Sequence, residues 1–288
     1  MMVLFVMIGM TKAEFLTMPG VETMLKDFQS NQVRWEFWAR GTVKLDFPVK
    51  PEVVLTDSMQ VAEKLSATGT CCVGYQKPGN TEFFTGAELV LISFLNLDAA
   101  FFSNIYRRHQ GLPVVIAETE HLCIRESAPT DFDELYWISR EDGNSDYMES
   151  MGSDEEEERE KFLDYIRCMY QFYGFGLWTV EEKEHGRIVG RCGFFVTDEI
   201  PGGCVEIGYL IGKNYRRKHF ALEACRQILN YAFYDLEIPK VYAAIRKENR
   251  PSQELAKRLG FCLSGRAHSE PGTELWIAVG THQTVPEA

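Results

Sequence analysis

Val205-Glu206-Ile207-Gly208-Tyr209-Leu210-Ile211, then Gly212, then Lys213-Asn214-Tyr215-Arg216-Arg217-Lys218-His219-Phe220-Ala221 is the stretch that decides the fold. Its first part is an apolar, partly β-branched run and reads as a strand. Its second part is a basic loop. Residues 222–236 then repeat at helical spacing, with Leu222, Cys225, Leu229 and Phe233 on one face. Residues 240–245 form another strand, and Asn249-Arg250-Pro251-Ser252 opens a second helix that stops at Leu259-Gly260-Phe261. A strand feeding a basic turn and then a helix amino-terminus makes an anion site, because free N–H groups and the helix dipole converge there. A basic loop alone would be solvated surface. The complete strand–loop–helix–strand–helix order is what gives this one a ligand.

Upstream, residues 121–125 read as a strand. Thr130 is placed to cap a helix, with Asp133 at the capping-box position. Residues 155–172 carry Phe162, Ile166, Met169 and Tyr170 on one helical face, and a glutamate cluster at the start complements the helix dipole. Residues 176–180 and 188–196 form an antiparallel pair around Glu184-His185-Gly186. Gly111-Leu112-Pro113 breaks the chain after the basic helix end Arg107-Arg108-His109, and an extended run follows at 114–117. Domains over 1–113 and 114–288 are expected.

The first unit has a βα rhythm. Residues 51–55 are a strand, Thr56-Asp57-Ser58 an N-cap, Val61, Ala62 and Leu65 a helical face, and Gly69 the stop. Strands follow at 71–75 and 89–92, separated by a turn at Lys77-Pro78-Gly79-Asn80. Helices are expected at 13–28 and 98–109. Strands alternating with helices imply a small parallel sheet. The fold class is therefore α/β: a small Rossmann-like parallel-sheet domain, then a mixed-sheet domain.

Two family resemblances follow from these residues. Residues 51–92 resemble the later half of a haloacid-dehalogenase-type domain: a strand ending in Thr56-Asp57-Ser58, a glycine return, and Gly86-Ala87 before the last strand. That family's Asp-x-Asp is missing, since Leu45-Asp46-Phe47-Pro48 offers one Asp followed by Pro. No phosphatase is expected, and Asp57 reads as a helix cap before it reads as a ligand contact. Tyr215-Arg216-Arg217-Lys218-His219-Phe220-Ala221, with Asn249-x-x-Ser252 and Leu259-Gly260-Phe261, resembles the GNAT superfamily of N-acetyltransferases, in the branch acting on ribosomal-protein N-termini and small amines. The family's loop carries glycine where this chain has His219. A side chain at that point either crowds the phosphate or donates to it.

The resemblance implies acetyl-CoA as acetyl donor and an amine as acceptor. Tyr209, Leu210, Ile211, Arg216, Arg217, Lys218, His219, Phe220, Ala221 and Asn249 are the expected cofactor contacts. It also implies that strand 205–211 splays from strand 241–245, freeing backbone groups for the pantetheine amides. A primary amine is protonated at pH 7, so a base must take its proton, and the departing thiolate needs an acid. Glu206 is the candidate base, or else an edge-strand surface carboxylate. Ser252 is the candidate acid, or else a helix cap, with Tyr209 in reserve. Asn249 holds the pantetheine arm or caps the helix. A non-catalytic acetyl-CoA sensor is the alternative function.

Composition narrows the rest. The net charge is −12, and residues 141–160 alone hold ten acids against Arg159. Without clustered Lys and Arg a nucleic-acid partner is not expected. A cationic acceptor drawn to the acidic run would be a polyamine, an aminoglycoside or a protein N-terminus. A homodimer is the expected assembly. The eight cysteines form no C-x-x-C pair and sit in apolar runs, as in a reduced cytoplasmic protein. Residues 1–10 lack the features of a signal peptide, no run suits a membrane span, and the histidines show no metal spacing.

Overall fold

In the computed structural model, which describes residues 2–38, 50–79, 84–141 and 151–280, the chain divides into two compact units, Met1–Leu112 and Pro113–Ala288. The first unit has β1 (Val3–Met7), α1 (Lys12–Leu16), α2 (Val21–Ser30), β2 (Arg34–Phe37), β3 (Val53–Thr56), α3 (Met59–Ala67), β4 (Cys72–Tyr75), β5 (Leu89–Leu91) and α4 (Ala99–His109). All five strands are parallel, in the order β2-β1-β3-β4-β5. The chain thus winds to one side of β1 and then to the other, the doubly wound pattern of Rossmann-like units.

The sequence expectations for β3, β4, β5, α3 and α4 hold within a residue or two. Three readings need correction. Residues 13–28 are two helices, because Pro19 keeps Met18 out of helical geometry and Gly20 turns at φ 89°. A Cβ on Gly20 would lie 2.2 Å from the Phe94 carbonyl oxygen, so only glycine fits that turn. β1 and β2 complete the sheet although neither was expected. Asp57 does not cap α3: its buried carboxylate accepts the Gly9 N–H at 2.9 Å through each oxygen and pairs with the Lys77 ammonium at 2.6 Å. Asp46 and Asn80 lie outside the described residues.

The second unit has β6 (Val115–Glu118), β7 (Leu122–Arg125), α5 (Phe132–Ser139), α6 (Glu155–Tyr173), β8 (Leu177–Glu182), β9 (Arg187–Phe195), β10 (Val205–Ile211), α7 (Phe220–Asn230), β11 (Lys240–Arg246), α8 (Arg250–Arg258), β12 (Cys262–Ala267) and β13 (Thr273–Val279). Its eight strands form one mixed sheet, β12-β13-β11-β10-β9-β8-β7-β6, in which only β10 and β11 are parallel neighbours. The expected helix at 222–236 begins two residues earlier and ends in a π-helical turn at Tyr231–Asp235. Its buried face is Phe220, Ala224, Cys225, Ile228 and Leu229, packed on Trp178, Cys192 and Phe194 of the sheet.

Thr130 is no cap. Asp131 precedes α5, binds Arg125 through both oxygens at 2.7 and 3.0 Å, and accepts from the Ala128 N–H and the Thr179 hydroxyl. This buried pair ties the start of α5 to β7 and β8. No helix among the described residues is long and apolar enough to cross a membrane.

Candidate functional site

β10 and β11 pair only at Val205–Val241 and Glu206–Tyr242, although they run on to Ile211 and Arg246. β10 keeps its pairing with β9 as far as Ile211, and β11 keeps its pairing with β13 as far as Arg246. The sheet therefore opens as a wedge at its centre. Gly212 N–H donates to the Val189 carbonyl at 2.9 Å, so backbone groups at 206, 208 and 210 face β9, and those of Ile207, Tyr209 and Ile211 face the wedge.

Side chains dress the β11 wall. The Ala244 N–H donates to Glu206 Oε1 at 3.3 Å, and Gln253 Nε2 donates to the Arg246 and Lys247 carbonyls at 3.4 and 3.0 Å. Gln253 is a buried polar residue that the sequence reading missed; it holds α8 on the end of β11.

Glu206 is no edge-strand carboxylate. It lies on a central strand and is 8% exposed. Burial pushes its pKa up, against the Ala244 N–H and the nearby His268, which lower it; Glu199 adds to the rise. A carboxylate made more basic and held at the apex of the wedge is suited to accepting a proton.

Tyr209 pairs across strands with Cys192 and so lies on the α7 face of the sheet, opposite to Glu206. Its hydroxyl hydrogen-bonds Ser252, while burial drives its pKa strongly up. The cap of α8 is Asn249, whose side-chain oxygen accepts the Ser252 N–H at 3.2 Å. The cap reading of Ser252 is thereby corrected. Asn249 spends its carboxamide oxygen on the helix, and the Ser252 hydroxyl is left to Tyr209.

In the basic loop, Arg217 and His219 both take φ 65°, the left-handed region, and His219 stands at the amino-terminal cap of α7. The local backbone is thus the one that glycine adopts with least strain. Arg216 Nε donates to the Ile211 carbonyl at 3.2 Å. The Lys218 ammonium turns away toward β8: it is 4.0 Å from Glu182 and lies over the rings of Tyr215 and Phe220 at 5.5 and 5.7 Å. The Phe220 side chain is in the core, so its place at the loop is through its backbone.

Two further acids hold the loop and the start of α7. Glu141 accepts the Lys213 N–H at 2.6 Å. Glu223 accepts from His121 N and Nδ1 at 3.0 and 3.1 Å; burial alone would raise its pKa, and the hydrogen bonds from Thr119 and His121 hold it low. Glu182, Glu184 and His185 bring ligand atoms within 4.8 Å of one another, but the Lys218 ammonium already balances Glu182.

The acidic run is partly matched. Glu155 pairs with Arg159, and Glu157 and Glu158 with Lys161, while Asp154 caps α6. Residues 142–150 and His282 lie outside the described residues.

Residues 121–262 match the family described as Acetyltransferase (GNAT) domain. The uncharacterized N-acetyltransferase p20 of Bacillus licheniformis is 30% identical over 149 residues, 51% of this chain and 82% of that protein. YjdG, an uncharacterized N-acetyltransferase of Bacillus subtilis (strain 168), is 32% identical over 106 residues, 37% of this chain and 61% of that relative, less than two thirds of its length. The solved ribosomal-protein-S5-alanine acetyltransferase of Vibrio fischeri shares the fold, with a TM-score of 0.50 and 16% identity over 58% of this chain and 97% of that one. The chain belongs to the GNAT family, which moves an acetyl group from acetyl-CoA to an amine.

Proposed function

We propose that the second unit acetylates a primary amine in a ternary complex, with Glu206 as base and the Ser252–Tyr209 pair as acid. The observation that carries this reading is the buried Glu206 carboxylate at the point where β10 and β11 part. Acetyl-CoA supplies the thioester. The wedge-facing groups of Ile207, Tyr209 and Ile211 suit the amides of its pantetheine arm, and the free N–H groups at the start of α7, with Arg216, Arg217 and His219, suit its pyrophosphate. Glu206 takes the ammonium proton, directly or through water. A wedge-facing N–H of β10 stabilises the oxyanion formed as the amine nitrogen attacks the thioester carbonyl, and the Ser252 hydroxyl gives its proton to the thiolate that leaves as the C–S bond breaks.

The acceptor we propose is a protein amino-terminus. The name of the Vibrio fischeri enzyme supports this class, and the ion pairs within the acidic run weaken the case for steering a polyamine. Replacing Glu155–Glu158 by Gln should leave acceptor affinity unchanged.

In the first unit we read a haloacid-dehalogenase-like domain without its nucleophile: Ile8-Gly9-Met10 follow β1, and Asp57 is engaged by Gly9 and Lys77. A non-catalytic sensor is favoured by one observation, the side chain of His219 at a left-handed position. The deciding experiment is calorimetry with acetyl-CoA followed by a panel of amine acceptors. Stoichiometric heat with turnover supports the enzyme; heat without turnover supports the sensor; no heat refutes both.

A further inference from the structure

Among the described residues, Arg191 is a cation without a counter-ion. It sits on β9 opposite Thr179 of β8 and Leu210 of β10, so it shares with Gly208 and Glu206 the sheet face that α5 and α6 cover. Its guanidinium lies 5.5 Å from the Phe162 ring centroid and 5.4 Å from that of Tyr165, both on α6. The side chain is half-buried, and its Nε has no hydrogen-bond partner. One Nη reaches the Leu177 carbonyl at 3.4 Å, but the Tyr170 hydroxyl already donates to that oxygen at 2.6 Å.

Among the described residues no carboxylate lies within ion-pair distance of this group. Asp131 and Glu181 are committed to Arg125, Asp164 to Arg167, and Glu206 to the Ala244 N–H. Withdrawing a guanidinium from water without a partner costs stability, and a methionine or leucine would fill the space between the two rings without that cost. The two rings favour a cation but leave its Nε–H donor unsatisfied. A ligand would satisfy it.

We propose that Arg191 receives a carboxylate of the acceptor, so that the preferred acceptor is a peptide amino-terminus with an acidic side chain a few residues behind it. The inference rests on the acetyltransferase reading above and deepens it. Glu206 and Leu210 are four residues apart on β10, which at the rise of a strand is about 13 Å. That span is too long for the amine and carboxylate of one free amino acid, and it fits an extended peptide whose amine meets Glu206 while its acid reaches Arg191. The aromatic pair fixes the guanidinium plane, so the fork can bind a carboxylate through two donors.

The test uses the full chain and synthetic six-residue alanine peptides with a free amino-terminus. Each carries one glutamate at position two, three, four or five and is compared with its glutamine counterpart. The expected result is a kcat/KM preference of about tenfold or more for glutamate at one or two of those positions, as for a hydrogen-bonded charge pair. The preference should fall to about one in Arg191→Met and be only partly retained in Arg191→Lys, which keeps the charge and loses the fork. Calorimetry with acetyl-CoA runs alongside. If acetyl-CoA binds and wild type turns over glutamate and glutamine peptides equally, or turns over none, the Arg191 assignment is overturned. A preference that survives in Arg191→Met overturns it as well. Absence of acetyl-CoA binding sinks the underlying reading instead, and the assignment with it. The wild-type comparison needs no variant to fold.

Discussion

At Glu206 one carboxylate carries two opposed demands. Burial makes it a better base and also makes its ionised form costly to the fold. Glu206→Gln keeps an acceptor for the Ala244 N–H and removes the base, so kcat should fall about 10²–10³-fold. The pH profile of the wild type should lose activity on its acid limb above the ordinary carboxylate range. The stability sign runs the other way. A raised folded pKa means that the folded state holds the proton longer than the unfolded chain, so wild-type stability falls as pH rises from the ordinary glutamate range through the raised value. Glu206→Gln should therefore melt above wild type at neutral pH, and the gap should close in acid. Scanning calorimetry at two pH values checks it; a lower melting temperature at both would show that Glu206 is structural.

At the scale of elements, α8 is held on β11 by Gln253, and α7 begins in a strained turn at His219. Gln253→Leu leaves two carbonyls at the wedge without their donor. It should cost about 1–3 kcal/mol and raise KM for acetyl-CoA. His219→Gly should bind acetyl-CoA more tightly if the imidazole crowds the phosphate and more weakly if it donates to it; calorimetry separates these. The run from β10 to α8 was legible because each element has its own period and punctuation, down to Gly260 after the last helix. β1 was not, because Val3-Leu4-Phe5-Val6-Met7 is apolar throughout and carries no alternation that marks it as a strand. β2 is short and holds Arg34 and Glu36. In the site, the parting of β10 from β11 was implied by the family resemblance and not by the periodicity. The roles of Gln253, Glu141 and Glu223 were not legible: Glu141 and Glu223 act on backbone groups 72 and 102 residues away, and Gln253 reaches back across a turn to the end of β11.

For the molecule as a whole, the first unit's core, around Leu4, Phe15, Phe28, Val73 and Phe102, is separate from the second unit's, around Trp178, Phe194, Cys225 and Ile228. Two cores favour two unfolding transitions over one. Acetyl-CoA should raise the transition of the second unit by mass action. Asp57→Ala, which strands the Gly9 N–H and Lys77, should lower the other by about 1–3 kcal/mol. Turnover of a generic phosphomonoester that vanished in this variant would overturn the reading of the first unit as catalytically empty.

The wedge has one more consequence, for solubility. A sheet that parts in its middle creates two interior edges, and an unpaired strand edge is a template for any passing chain in extended form. On β11 the Glu206 carboxylate occupies the Ala244 N–H, and the Gln253 amide occupies the Arg246 carbonyl. A foreign strand therefore finds two of that rail's groups already engaged, and on the β10 side Arg216 Nε holds the Ile211 carbonyl. The same side chains that shape the site also guard the fold against aggregation from within.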